Sequence, residues 1–189
     1  GDMHIVSGGS MWCFDDYNAE EVFLKKLFSE LYPAGAVSVV MDTYDYWANL
    51  KRCGVGELKD IIMKRPGTVF FRGDSGDPVD IICGYRKFES VPTGDDAARF
   101  KQHDIINCNG VAYKNYTGTF YKPGEMEDTE VCHEALVGTV ELLWEMFGGT
   151  INEAGYKVLD SHVRAIYGDS ITPNRARQMY ERLAEKGFA

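Results

Sequence analysis

The residues best suited to chemistry stand in two short acidic strings, MDTYD at residues 41–45 and RGDSGDP at residues 72–78. Each follows an apolar run, residues 36–41 and 68–71. Carboxylates fixed near a sugar carbon stabilise positive charge that develops there, and they accept hydrogen bonds from ring hydroxyls. An arginine beside them offers parallel donors to a phosphate or a planar amide. Asp42, Asp45, Arg72, Asp74 and Asp77 are therefore the first candidates. A third apolar run, residues 163–167, leads into Gly168-Asp169-Ser170. Each string also has a purely structural use: Asp42 or Asp45 as a turn or helix cap, Arg72 with Asp74 as a local ion pair, and Gly168-Asp169 as an ordinary turn.

Something must carry these strings to one place. Asn18 is a candidate helix cap, with Glu21 at the capping-box position, and Phe23, Leu24, Leu27, Phe28 and Leu31 follow at helical spacing. Pro33-Ala34-Gly35 ends that helix, and residues 36–41 read as a buried parallel strand. Helical stretches from Tyr46 and over residues 57–64 precede the turn Pro66-Gly67 and the strand at 68–71. Helix alternating with strand across short turns predicts βα units and a parallel sheet. In such folds ligands sit at the carboxyl ends of the strands, which is where both acidic strings fall.

Residues 80–128 break the pattern. Tyrosines, Asn109-Gly110 and isolated glycines suggest short strands or a hairpin, too long for an ordinary βα loop. The stretch reads as an insertion within a single domain spanning residues 1–189. Tyr113, Tyr116, Phe120 and Tyr121 are expected to form its small core rather than to stack on a ligand ring. Helical spacing returns with Leu136, Val140, Leu143 and Phe147 on one face, ended by Gly148-Gly149. Thr172 caps a last helix with Pro173 in its first turn and Ala176, Met179 and Leu183 on the buried side.

The bulk numbers narrow the classes. The chain has 189 residues, 44% hydrophobic, with a formal net charge of -9. That balance disfavours a nucleic-acid binder, which needs a basic surface, though one arginine with backbone amides still suffices for a single phosphate. Five cysteines without a CxxC spacing fit reduced thiols in a cytoplasmic protein, not a disulfide framework or a structural zinc site. His103, His133 and His162 show no metal-ligand spacing. No run reaches the ~18 apolar residues of a membrane span, and GDMHIVSGG lacks the basic region and apolar core of a signal peptide.

At this point three strings carry a resemblance: VSVVMDTYDYW, VFFRGDSGDPVD and GYKVLDSHVRAIYGDSI, with ALVGTVELLWEMFGG between the second and third. In this order they resemble the nicotinate/nicotinamide phosphoribosyltransferase family, over a little more than half of the chain. The resemblance implies the parallel-sheet portion of an irregular α/β barrel of the type II phosphoribosyltransferase kind, with the irregular or β insertion at 80–128 outside the family pattern. It implies transfer of a phosphoribosyl group from phosphoribosyl pyrophosphate, with Mg²⁺, to nicotinamide or nicotinate. Asp42 and Asp74 then match catalytic aspartates. Arg72 matches an arginine of the nicotinamide and ribose site, and Gly168 and Asp169 match a pair near the ribose and phosphate. The chain also departs from the family: Gly9-Ser10 stands where a His-Ser pair is expected, and the glycine-rich phosphate loop that follows the last helix is not reached. A full barrel needs ~250 residues, so a homo-oligomer or a complementing chain is expected to cover the open sheet.

Two other readings of the residues stay open. One is a ribose-phosphate-binding subunit without catalysis. The other is a Mg²⁺-dependent α/β phosphohydrolase, although the lysine near the second string, Lys64, stands at the wrong end of its strand.

Overall fold

The computed structural model describes residues 4–7, 17–126 and 130–189. Ser10, Cys13 and the side chains of His4 and Asn18, with the cap expected of Asn18, lie outside the described residues. The central sheet has the strand order β1-β2-β3-β10: β1 is His4–Ser7, β2 Val37–Val40, β3 Val69–Gly73 and β10 Val163–Tyr167. All three pairings are parallel, so the three apolar runs do lie side by side, with Val37 opposite Val69 and Val69 opposite Val163.

Between β1 and β2 runs α1 (Tyr17–Lys26), continued by a wide helical turn over Leu27–Leu31. Two helices, α2 (Tyr46–Cys53) and α3 (Gly56–Lys64), join β2 to β3. The alternation of the strands decides which side chains they bury. Val37, Val39, Val69, Phe71 and Val163 are fully enclosed against Leu27, Phe28, Leu50, Leu58 and Ile62. Phe70 and Arg72 point to the other face and stay partly accessible. Burial of such branched and aromatic side chains stabilises by about 1.5–3 kcal/mol each, which anchors the strand ends that carry the acidic strings.

After β3 come α4 (Pro78–Cys83) and a second sheet of order β4-β5-β6-β7, spanning Lys87–Phe88, Ile105–Cys108, Val111–Tyr116 and Thr119–Tyr121. Its last three strands form an antiparallel meander. Asn109, in the left-handed region at φ 54°, turns the first hairpin with Gly110, whose N–H donates to Asn107 Oδ1 at 2.9 Å. The aromatic side chains do pack on one another. Phe100 meets Phe88 and Phe120 edge-on at 5.6 and 5.1 Å, and Tyr116 meets His103 and Tyr121.

The single helical face expected across Leu136 to Phe147 is instead two helices, α5 (His133–Val137) and α6 (Thr139–Phe147). The break is at Gly138, φ 83°, ψ 168°, a conformation that only glycine adopts at low cost. A Cβ there would lie 2.0 Å from the backbone N of Gly84, itself at φ 73°. The chain thus exchanges helix continuity for a close backbone crossing. A hairpin of β8 (Gly149–Ile151) and β9 (Lys157–Leu159), not anticipated from the sequence, follows.

The last helix, α7 (Pro173–Glu185), is capped as expected, Thr172 Oγ1 accepting from Arg175 N at 3.2 Å. Its apolar side is less enclosed than expected. No α7 side chain is fully buried; Met179 and Leu183 pack partly against Val79, Ile82, Cys83, Val140 and Phe188. The described parallel sheet is open: β1 and β10 are its edges, and no closed barrel forms among the described residues. No helix is long and apolar enough to cross a membrane among the described residues, and Cys53, Cys83, Cys108 and Cys132 are free thiols.

Candidate functional site

The three strands deliver their acidic continuations to one rim. At the end of β2, the Met41 N–H donates to Arg72 O at 3.1 Å, and the Asn49 side chain donates to Met41 O at 3.1 Å. Asn49 is buried, so this bond fixes the direction in which Asp42 leaves the strand. One Asp42 oxygen, Oδ2, then accepts the backbone N–H of Asp74 at 2.9 Å, tying the first string to the second.

Arg72 sits one residue before the end of β3, on the face away from the helices. Its Nη2 donates to Asp74 Oδ1 at 2.8 Å and reaches Asp169 Oδ2 at 3.5 Å. The guanidinium lies against Gly168, where a Cβ would come within 2.7 Å of Cζ and Nη2. Its Nε is buried and makes no hydrogen bond among the described residues. Asp42, Arg72, Asp74, Gly168 and Asp169 are therefore joined by bonds and close packing, although they come from three different strand ends.

The remaining acidic residues of the strings cap helices. Asp45 caps α2, accepting from Ala48 N at 3.0 Å. Asp77 caps α4, accepting from Val79 N at 2.9 Å, with Pro78 in the first turn. Such caps contribute about 1 kcal/mol each and fix where each acidic loop ends.

Behind the rim, the Thr139 hydroxyl donates to Ile81 O at 2.8 Å, so the Tyr46 hydroxyl must be the donor in its 2.8 Å bond to Thr139. Burial holds the Tyr46 phenol well above its usual pKa, which keeps it protonated for this role. The bond fastens α2 to α4 and α6 directly beneath the loops.

Two rim residues were not anticipated. Tyr167, the last residue of β10, donates its hydroxyl to Gly76 O at 3.0 Å. Arg175, in the first turn of α7, donates to Ser170 O at 2.8 Å and pairs with Asp77 at 3.4 Å. Tyr167 closes the third apolar run and Arg175 lies beyond it, but nothing in either position points to the second loop; only the parallel β3–β10 pairing brings them there. An apolar groove of about 340 Å³ also opens between β10 and α7, lined by Ile82, Val140, Leu159, Met179 and Leu183. Asp42, Arg72, Asp74 and Asp169 do not line it. Among the described residues, no group of three His, Cys, Asp or Glu side chains is arranged to hold a metal ion.

The profile of the nicotinate phosphoribosyltransferase (NAPRTase) family matches residues 23–189. The chain is 36% identical over 185 residues to the nicotinamide phosphoribosyltransferase of Acinetobacter baylyi, an overlap of 95% of this chain and 28% of that protein. It is 27% identical over 184 residues to that of Mycoplasma pneumoniae, covering 97% of this chain and 31% of the relative. A third, from Xanthomonas campestris pv. campestris, is 29% identical over 157 residues, or 83% of this chain and 22% of the relative. The chain thus spans less than a third of the length of these curated relatives. With its profile match running from α1 through the end of α7, the chain belongs to the nicotinate phosphoribosyltransferase family.

Proposed function

We propose that this chain supplies part of the active site of an NAD-salvage enzyme that transfers the phosphoribosyl group of phosphoribosyl pyrophosphate to nicotinamide, with nicotinate as the alternative acceptor. Nicotinamide is favoured because the curated relatives reported above are nicotinamide phosphoribosyltransferases. One observation carries the reading. A partly accessible guanidinium, with a buried Nε donor that has no acceptor among the described residues, sits among Asp42, Asp74 and Asp169 at the carboxyl ends of three neighbouring parallel strands. A buried donor without an acceptor costs about 1–3 kcal/mol, and a phosphate or amide oxygen arriving there would relieve that cost.

In the reaction, the bond from the sugar's anomeric carbon to the pyrophosphate oxygen breaks, and pyrophosphate leaves with the electron pair. The ring nitrogen of nicotinamide gives its lone pair to the same carbon, and no proton need move. Positive charge builds on that carbon between departure and attack. Asp42 and Asp74 are the groups that would stabilise it, while Arg72, Gly168 and Asp169 would bind ribose and phosphate or amide oxygens. Mg²⁺ would enter this reading as part of the donor complex, held mainly by the substrate's phosphates, and would supply positive charge to the leaving pyrophosphate. Mg²⁺ is commonly held by substrate phosphates with only one or two carboxylates, so the separated aspartates of this rim fit it better than an all-protein cage would. The rest of the site, and cover for the sheet edges, would come from other parts of the protein or from a second chain.

Calorimetric titration of nicotinamide mononucleotide into the protein that carries this chain tests the reading. Saturable binding is expected, and Arg72→Ala should weaken it roughly thirtyfold, equivalent to about 2 kcal/mol. Equal affinity in the two proteins would remove Arg72 from the site.

A further inference from the structure

The loop after β3 and the loop after β10 are tied twice, by the Tyr167 hydroxyl and by the Arg175 guanidinium. The Tyr167 hydroxyl donates to Gly76 O at 3.0 Å. Gly76 is at φ 91°, a conformation that leaves its carbonyl direction unsupported by regular structure. The ring of Tyr167 passes over Gly73, where a Cβ would sit 3.4 Å from it. The second tie is Arg175, which holds Ser170 O at 2.8 Å and reaches Asp77 at 3.4 Å. Ser170 is also in the left-handed region, at φ 57°. Asp74 and Asp169, the two acceptors of Arg72, lie one in each of these loops.

We infer that Tyr167 and Arg175 are positioning residues that lock the 74–77 and 169–172 loops into one body, so that Asp74 and Asp169 keep a fixed separation across Arg72. This rests on the reading of the rim as a phosphoribosyl site, and it says how that site holds its geometry before ligand arrives. The position of the phenol suits a permanent tether. Burial raises its pKa, and Asp42, Asp74, Asp77 and Asp169 around it raise it further, so it remains a donor at neutral pH. The two ties are independent. One comes from a strand end through a neutral hydroxyl and the other from a helix through a guanidinium, so each can be removed alone.

The test uses the whole protein with Tyr167→Phe, which keeps the ring over Gly73 and deletes only the hydroxyl, and Arg175→Gln as the second variant. Backbone hydrogen exchange over residues 74–77 and 169–172 is read first, without ligand. Each variant should speed exchange in both loops about five- to tenfold, the factor expected for losing one net hydrogen bond, while exchange in β2 and β3 stays unchanged. Titration with nicotinamide mononucleotide should then show affinity lowered by a similar factor. In steady-state assays the KM for phosphoribosyl pyrophosphate should rise more than kcat falls, because Asp42, Asp74 and Arg72 are all still present. Unchanged exchange in both loops for both variants overturns the tether. Faster exchange in a protein whose wild type binds no mononucleotide upholds the tether and overturns the phosphoribosyl reading instead. Faster exchange with unaltered affinity and KM, in a wild type that does bind, shows that the tether does not position the site and overturns the inference.

Discussion

The Arg72 guanidinium lies against the backbone of Gly168, with room for a hydrogen there and nothing larger: a Cβ would stand 2.7 Å from Cζ and 3.0 Å from Nε. Gly168 is not among the residues at positive φ, so glycine is required here by the side chain above it rather than by backbone strain. Gly168→Ala should therefore leave stability nearly unchanged while pushing Arg72 off Asp169. Mononucleotide affinity should fall about tenfold, short of the loss from Arg72→Ala. Calorimetry and thermal melting on the same variant check both halves.

Asp74 offers a separate handle, because it touches Arg72 with its carboxylate and Asp42 with its backbone. Asp74→Asn keeps the backbone bond and the shape and loses the charge. If that charge matters chiefly as the sugar carbon becomes positive, kcat should drop by roughly a hundredfold while mononucleotide affinity changes by less than about threefold. Steady-state kinetics beside a binding titration distinguish this from a pure binding role.

Acid should loosen the amino-terminal end of β10 through Asp160. Burial raises its pKa, but hydrogen bonds from the His162 N–H and ring, with the charges of His162 and Arg164, leave it below the ordinary carboxylate value. A carboxyl whose folded pKa is depressed contributes stability above its unfolded pKa of ~3.9. That contribution disappears as pH falls through the lower folded value. Asp160→Asn should cost up to about 1 kcal/mol at pH 7, the side chain being partly solvated. Urea midpoints measured from pH 7 to pH 2 should show the gap between variant and wild type closing below pH ~4. A constant gap would contradict this assignment.

The crossing of Gly84 and Gly138 makes a prediction about stability alone. Gly138→Ala places a Cβ against Gly84 N and forces alanine into a glycine-only conformation. Unfolding in urea should show a loss of roughly 3 kcal/mol or more. A change under 1 kcal/mol would mean that α5 and α6 can separate from α4 without cost.

Much of the rim was legible because parallel strands announce themselves. Val37, Val39, Val69, Phe71 and Val163 are branched or aromatic residues in short runs, and acidic residues that follow such runs fall at the carboxyl ends of the sheet by the geometry of the βα unit. The caps at Asp45 and Thr172 are local chemistry, equally readable, and the Asp77-Pro78 cap, not anticipated from the sequence, is of the same kind. What escaped depends on contacts distant in sequence. The helix break at Gly138 exists because Gly84 crosses it, and no spacing around residue 138 signals this. The β8–β9 hairpin has exposed residues in its first strand and so carries no strong apolar pattern. Tyr167 reads as one more apolar residue of β10 until Gly76 O is seen opposite its hydroxyl. Arg175 reads as a solvated helix charge until Asp77 and Ser170 stand beside it.

The pairing of β3 with β10 also sets the order in which this molecule can acquire its site. The contact from Arg72 to Asp169 spans 97 residues of chain, and the whole β4–β7 sheet and both helices α5 and α6 lie inside that span. Closing so long a loop is slow, since its entropy must be lost before the strands reward it. The equilibrium cost, however, grows only with the logarithm of loop length, about 0.6 kcal/mol for each doubling. Extra length in the exposed turns of the β4–β7 sheet would therefore cost the finished fold little, whereas α4 and α6 in the same span carry core side chains and cannot be lost. A chain caught with β1, β2 and β3 already paired would have much of its core and none of the Asp169 side of the rim, so competence for ligand arrives with the last strand to dock.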